Sequence, residues 1–301
     1  MRLSKILLAV GTVLGTFAST SLAFDAFSVP MQSARSNSHF IVFDGTLYKN
    51  KPDFARYGIR PVKIVGGQFW ASGRAEEALP KEDRVHHVAH EASSFSDMVI
   101  LDIEHWSLQG DAASVRENLL KYMTVLRWFR AAEPHVEVGY YGTVPIRDYW
   151  RAIKDSKQHE RAAWSAENDR LRPLAMAVDA LFPSLYTFYE DREGWRKYAI
   201  EQIAEARRYG GGKPVYVFLW PQFHDSNRWL RGTYLSADFW RFELDTVRLY
   251  ADGIVIWGGW GENNRPANWD EEAPWWHVTK EFMRTIPRTA MSPSDREKGR
   301  P

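Results

Sequence analysis

Two carboxylates stand two residues apart at the end of an apolar run, in Met98-Val-Ile-Leu-Asp-Ile-Glu-His-Trp106. Its first four residues are unbroken apolar, the pattern of a strand buried on both faces in a parallel sheet. Strand period two points Asp102 and Glu104 to the same face, about 6–7 Å apart along the backbone. Desolvated charge is costly unless paired or used, and like charges this close push one carboxyl's pKa upward. A carboxyl that keeps its proton near neutral pH can serve as a general acid. Acids at strand ends also cap helices or form ordinary ion pairs, so the pair must be read with its surroundings.

Those surroundings come from the other strand-like runs. Phe40 to Asp44 is the first, Pro61 to Val65 the second and Met98 to Glu104 the third. Val136 to Gly142, Ala180 to Tyr186, Pro214 to Trp220 and Gly253 to Gly258 follow. Helical stretches separate several of them. Ser114 and Glu117 have capping-box spacing, and Val115, Leu119, Tyr122, Leu126 and Phe129 then mark one helix face. A charged, tryptophan-rich and helical region is expected from Ile146 to Leu171, and a helix over about Glu190 to Tyr209, stopped by Gly210-Gly-Gly212 and Pro214. A last amphipathic helix is expected near Pro274 to Arg284.

Strand, helix, strand in repetition predicts a parallel sheet with crossover helices. Seven strands favour a TIM-like (β/α) barrel, with a doubly wound open sheet as the alternative. No G-x-G-x-x-G follows the first strand and no P-loop is present, so no nucleotide or other cofactor is expected. In a β/α barrel the site lies at the C-terminal strand ends. Here those ends carry Asp102 and Glu104, Tyr140 and Tyr141, Tyr186, Trp220, and Trp257 with Trp260 beyond. Two acids ringed by tyrosine and tryptophan suit a sugar pocket, because apolar sugar faces stack on rings.

Composition agrees with that class. Trp 14, Tyr 13 and Phe 16 in 301 residues are a heavy aromatic load, net charge is +1, and cysteine is absent. Without a long basic run interleaved with aromatics, nucleic acid is not an expected partner. Arg2 and Lys5, an apolar stretch from Ile6 to Phe17 and the small-x-small site Ser21-Leu-Ala23 read as an export signal. The expected mature protein starts near Phe24, secreted or periplasmic, as one catalytic domain over residues 24–286 followed by a disordered tail over 287–301. No apolar stretch reaches the roughly 18–20 residues of a membrane span, so no stable membrane insertion is expected.

Other clusters carry less. His86, His87 and His90 lack the H-E-x-x-H order and a third ligand, so they read as a solvated helix face with no metal site. Arg192, Arg196, Lys197, Arg207 and Arg208 are balanced by Glu190, Glu193, Glu201 and Glu205. His224 and Asp225 follow the sixth strand and lie within reach of a site mouth.

Taken together, these segments resemble the hyaluronidase family of glycoside hydrolases (family 56), which are seven-stranded β/α barrels. Asp102-Ile-Glu-His-Trp106 is similar to that family's D-x-E-x-W. Gly139-Tyr-Tyr141 with Pro145 is similar to its G-Y-Y…P, and Asn168-Asp169 before Leu181-Phe-Pro-Ser-Leu-Tyr186 to its N-D…L-x-P-S-x-Y. Lys213-Pro-Val-Tyr216 and Gly253-Ile-Val-Ile-Trp-Gly258 resemble its sixth and seventh strands. The resemblance runs from about Met98 to Met283. It implies Glu104 as proton donor, Asp102 as the group that positions a substrate acetamido group, and Tyr141, Tyr186 and Trp257 as lining, with Trp106 part of the motif. The chain departs from the family's animal members in lacking their paired cysteines. Ser107-Leu108 replaces their Arg-Pro, and Leu219-Trp220 stands where they carry an arginine, which weakens the case for a polyanion such as hyaluronan. A partial resemblance to family 18 chitinases rests on Asp97, Asp102 and Glu104 in D-x-x-D-x-D-x-E, with Ile100 in the remaining place.

Acids two apart on one strand do not flank a scissile bond as ordinary retaining or inverting pairs do. The reading is therefore an exported hydrolase of an N-acetylhexosamine-containing polysaccharide or oligosaccharide that uses the substrate's own acetamido oxygen as nucleophile. A carbohydrate-binding barrel of the cell envelope without turnover is the alternative.

Overall fold

A computed structural model describes residues 39–70, 78–153, 158–261 and 265–287. The export signal and the tail expected beyond Pro287 lie outside the described residues. The described residues form seven strands: β1 (Ile41–Thr46), β2 (Arg60–Pro61), β3 (Lys63–Val65), β4 (Met98–Leu101), β5 (Glu137–Tyr140), β6 (Tyr216–Leu219) and β7 (Gly253–Gly258). Their ladders form two parallel sheets, β2-β1-β7-β6 and β3-β4-β5.

Two links join the sheets. On one side β2 and β3 are almost one segment, pairing with β1 through Phe43↔Arg60 and with β4 through Ile64↔Ile100. On the other, residues 180–186 bridge β5 to β6 through the parallel pairs Tyr141↔Phe182, Leu181↔Val215 and Ser184↔Phe218. Pairing thus passes from segment to segment and returns to β1, the arrangement of a (β/α) barrel with seven staves. The expected fifth strand, Ala180 to Tyr186, forms these separate bridges and no continuous ladder. Pro183 has no N–H to donate, although its carbonyl accepts from Phe218 N at 2.9 Å.

Helices cover the outside: α1 (Glu82–Ser93), α2 (Ala112–Ala132), α3 (Tyr149–Ile153), α4 (Gln158–Asp169), α5 (Arg172–Ala177), α6 (Arg192–Tyr209), α7 (Ala237–Tyr250) and α8 (Pro274–Thr285). The cap of α2 differs from the expected capping box. Asp111 Oδ1 accepts from Ala113 N and Ser114 N, each at 3.0 Å. A carboxylate three residues earlier satisfies the orphan N–H groups, so Ser114 lies inside the helix. Helix α7 has no counterpart in the sequence reading. Ser236 caps it, accepting from Phe239 N at 3.3 Å, and Phe239, Trp240, Leu244 and Val247 form its buried face. Among the described residues no helix is long and apolar enough to cross a membrane.

The barrel wall separates two apolar clusters. Phe43, Met98, Ile100, Tyr141, Phe182, Tyr186, Phe218, Trp220 and Val255 pack inside. Val42, Val99, Leu101, Val138, Tyr140, Val217 and Ile254 face the helices. Along each strand the two sets alternate, as period two requires. The inner row of β4 therefore runs Met98, Ile100 and onward past the strand end to Asp102.

Candidate active site

Asp102 leaves β4 under tight constraint. Its N–H donates to Val65 O at 2.7 Å, and a Cβ on Gly66 would lie 2.2 Å from Asp102 O. Only glycine lets these two chains approach so closely. Asp102 Oδ1 is buried and has no hydrogen-bond partner, an arrangement costly unless something is to be bound there. Burial, and then the charge of Glu104, push the Asp102 carboxyl up to about 7. Glu104 itself is exposed.

The tyrosines close around this pair. Tyr141 donates to Ser184 Oγ at 3.1 Å, and its ring lies 6.0 Å from that of Tyr186. Burial and then Glu104 push the Tyr141 hydroxyl up to about 12. Burial holds Tyr186 well above the ordinary range, and Tyr141, Asp102 and Glu104 add to the effect. Both phenols consequently stay protonated. Trp220 meets Tyr186 edge-on at 5.5 Å and is held by a 2.8 Å bond from Nε1 to Gln222 Oε1. Trp257, half-buried, packs against the same inner cluster. A Cβ on Gly258, at φ +145°, would lie 3.4 Å from the Trp220 indole. His224 stacks on Tyr186 at 5.8 Å; burial, then Arg147, lower its pKa, and Asp225 opposes them.

A pocket of about 230 Å³ opens beside Glu104, with Trp106, Tyr141, Ile146, Arg147 and Ser184 among its walls. Asp102, Tyr186, Trp220 and Trp257 do not line it; they belong to the barrel mouth next to it. The structure thus brings Asp102, Glu104, Tyr141, Tyr186, Trp220 and Trp257 to one end of the barrel. Tyr140 differs from its expected place. Period two turns it outward, where it donates to Tyr122 O at 2.8 Å and packs edge-on against that ring at 5.0 Å. Trp106 is buried among Trp70, Tyr122 and His105 and reaches only the pocket wall. Trp260 is 42% exposed beyond β7.

Sequence reasoning missed Arg147, Ser184 and Tyr122. Ser184 shares the inner parity of Phe182 and Tyr186, a signal present in the strand pattern. Tyr122 sat in an apolar helix stripe, yet its hydroxyl donates to Ile103 O at 2.7 Å and so fixes the peptide between the two acids. The histidines face separate carboxylates: His86 with Glu82 at 3.8 Å, His87 with Glu91 at 3.3 Å, and His90 with Glu133.

No family model matches the chain, and no curated protein matches it. Solved structures do. Bee venom hyaluronidase superposes with a TM-score of 0.55 at 18% identity, covering 87% of this chain and 100% of that one. The same enzyme in complex with a hyaluronic acid tetramer gives 0.56 at 17% identity, over 82% and 97%. An endo-beta-1,4-mannanase from Thermotoga petrophila gives 0.50 at 13% identity, over 87% and 74%. At these identities the likeness establishes a shared barrel fold.

Proposed function

We propose that this chain is an exported glycoside hydrolase that cleaves a glycan beside an N-acetylhexosamine, with Glu104 as acid and base and Asp102 as the acetamido-positioning group. One observation carries the reading: Asp102 Oδ1, buried and unpartnered, lies two residues from an exposed glutamate at the barrel mouth. An amide N–H docked on that oxygen satisfies it and favours its carboxylate form. The acetamido oxygen then attacks the anomeric carbon while Glu104 gives its proton to the leaving oxygen. Asp102 stabilises the positive charge on the ring so formed. Glu104, now a carboxylate, takes a proton from water as that water opens the ring, and two displacements retain the anomeric configuration. Tyr141 and Tyr186, protonated and aimed inward, offer their hydroxyl oxygens as acceptors to the sugar's O–H groups. The barrel's likeness to a hyaluronidase and a mannanase supports the hydrolase class, and the motif resemblance supports the N-acetylhexosamine.

Proton NMR of the first-formed product tests the mechanism, using N-acetylglucosamine and hyaluronan oligosaccharides as substrates. Retained configuration and inhibition by a thiazoline analogue of the cyclic intermediate are expected. Inverted product, or full activity on a substrate lacking the acetamido group, would falsify it. Binding without turnover in the intact protein favours the envelope binding protein instead.

A further inference from the structure

Trp229 is 89% exposed, more than any other large apolar side chain among the described residues. The turn that carries it is fixed. Asn227 Oδ1 accepts from Trp229 N at 3.0 Å and Leu230 N at 2.9 Å, while Asn227 Nδ2 donates to Phe188 O at 2.7 Å. Thr233 Oγ1 donates to Leu230 O at 2.6 Å. Gly232, at φ +73°, donates its N–H to Phe223 O at 3.0 Å. Leu230 tucks against the core, so the turn buries one apolar residue and presents its neighbour to water. Holding an indole in solvent on a braced turn forgoes apolar burial and leaves the ring face free to be covered by a ligand.

The position of the turn indicates what it recognises. It follows β6, so it stands at the C-terminal end of the barrel with Asp102 and Glu104. The Asn227 bond ties it to Phe188, two residues past Tyr186, and His224 N donates to Thr187 O at 2.8 Å. Arg228 and Arg231 flank Trp229 in sequence; both are exposed, and neither forms an ion pair among the described residues. We propose that Trp229 is a distal sugar-stacking subsite, so that a glycan seated at Glu104 extends across the β6–α7 turn and lays a pyranose face on the indole. The flanking guanidiniums donate to hydroxyls at the sugar's edge. A single indole matches one pyranose face, whereas membrane binding scales with buried apolar area; the other exposed ring of this segment, Tyr234 at 46%, has its hydroxyl bonded to that of Tyr48 at 3.1 Å. This inference rests on the glycan reading of the Glu104 site.

The test uses the full chain carrying Glu104→Gln, so that binding is read without cleavage. Oligomers of two and six N-acetylglucosamine units are titrated by calorimetry with Trp229 intact and with Trp229→Ala. The hexamer is expected to bind about tenfold more tightly than the dimer. Trp229→Ala should remove that gain, leave dimer affinity in place and leave the melting temperature unchanged, since the indole is in water. Trp229→Phe should keep part of the gain. Equal affinity for dimer and hexamer, an undiminished gain in Trp229→Ala, or no binding of the hexamer overturns the subsite. Trp229-dependent capture by phosphatidylglycerol vesicles without a length-dependent glycan gain overturns it in favour of a membrane contact. A Trp229-dependent gain in a wild-type protein that hydrolyses nothing sinks the hydrolase reading and leaves the subsite standing. Cleavage of the hexamer with the gain intact in Trp229→Ala does the reverse.

Discussion

Asp102→Asn should stabilise the folded protein at alkaline pH while abolishing turnover. The Asp102 carboxyl lies at about 7 in the fold against an ordinary 3.8. Below the lower value both folded and unfolded chains are protonated here, and the group contributes nothing to pH dependence. Between about 4 and 7 the unfolded chain ionises while the folded chain holds its proton, so stability falls as pH rises. The slope is about 1.4 kcal/mol per pH unit. Above pH 7 the folded carboxyl ionises too and the loss levels off, at about 4 kcal/mol for the full shift or about 2–4 once partial solvent access is discounted. Asparagine has no charge to bury and removes this penalty. Urea unfolding of wild type and Asp102→Asn, at half-unit steps from pH 4 to 8.5, measures the difference directly, with the other carboxyls cancelling. The variant should draw level near pH 4 and lead by about 2–4 kcal/mol at pH 8. A difference independent of pH, or a variant that weakens progressively as pH rises, would refute a strained carboxyl held for function.

Glu104→Gln keeps the shape of an exposed side chain and should leave the melting temperature unchanged, with activity reduced at least about 100-fold on any substrate found; unchanged turnover assigns the acid elsewhere. Gly66→Ala places a Cβ 2.2 Å from Asp102 O, so Asp102 must move, and loss of both activity and stability is expected by rate assay and thermal melt. Tyr140→Phe and Tyr186→Phe compare the two sides of the wall. The first removes the bond to Tyr122 O, worth about 1 kcal/mol, and should leave glycan affinity alone, whereas the second should lower affinity or turnover. Equal effects of the two on affinity would contradict the assignment of Tyr140 to the outer face. Trp257→Ala should weaken glycan binding by calorimetry, and a large stability loss without an affinity loss would make that ring core only.

The sequence by itself identified the third strand, because the unbroken apolar run Met98 to Leu101 is a local signal, and the two acids follow directly beyond its end, where the charge of Glu104 acts on Asp102. Period two applied to Gly139-Tyr-Tyr141 would have turned Tyr140 away from Tyr141. Grouping both at a strand end overlooked that adjacent residues face opposite sides of a wall. The order of seven parallel staves was legible from alternating apolar runs and helix stops such as Gly210-Gly-Gly212. Helix α7 was not, although Ser236 and the stripe from Phe239 to Val247 carried the signal. Only the tertiary structure decided the rest. Asp102 Oδ1 is buried without a partner and its backbone lies hard against Gly66, both facts of packing between segments distant in sequence. Arg147 and Ser184 reach the site because residues 142–147 and 180–186 lie side by side at the barrel mouth. Trp229 stands in solvent on a turn that Asn227 ties to Phe188, beyond the neighbouring stave. Spacing along a chain fixes which face a side chain takes; which faces then meet is set by closure of the wall.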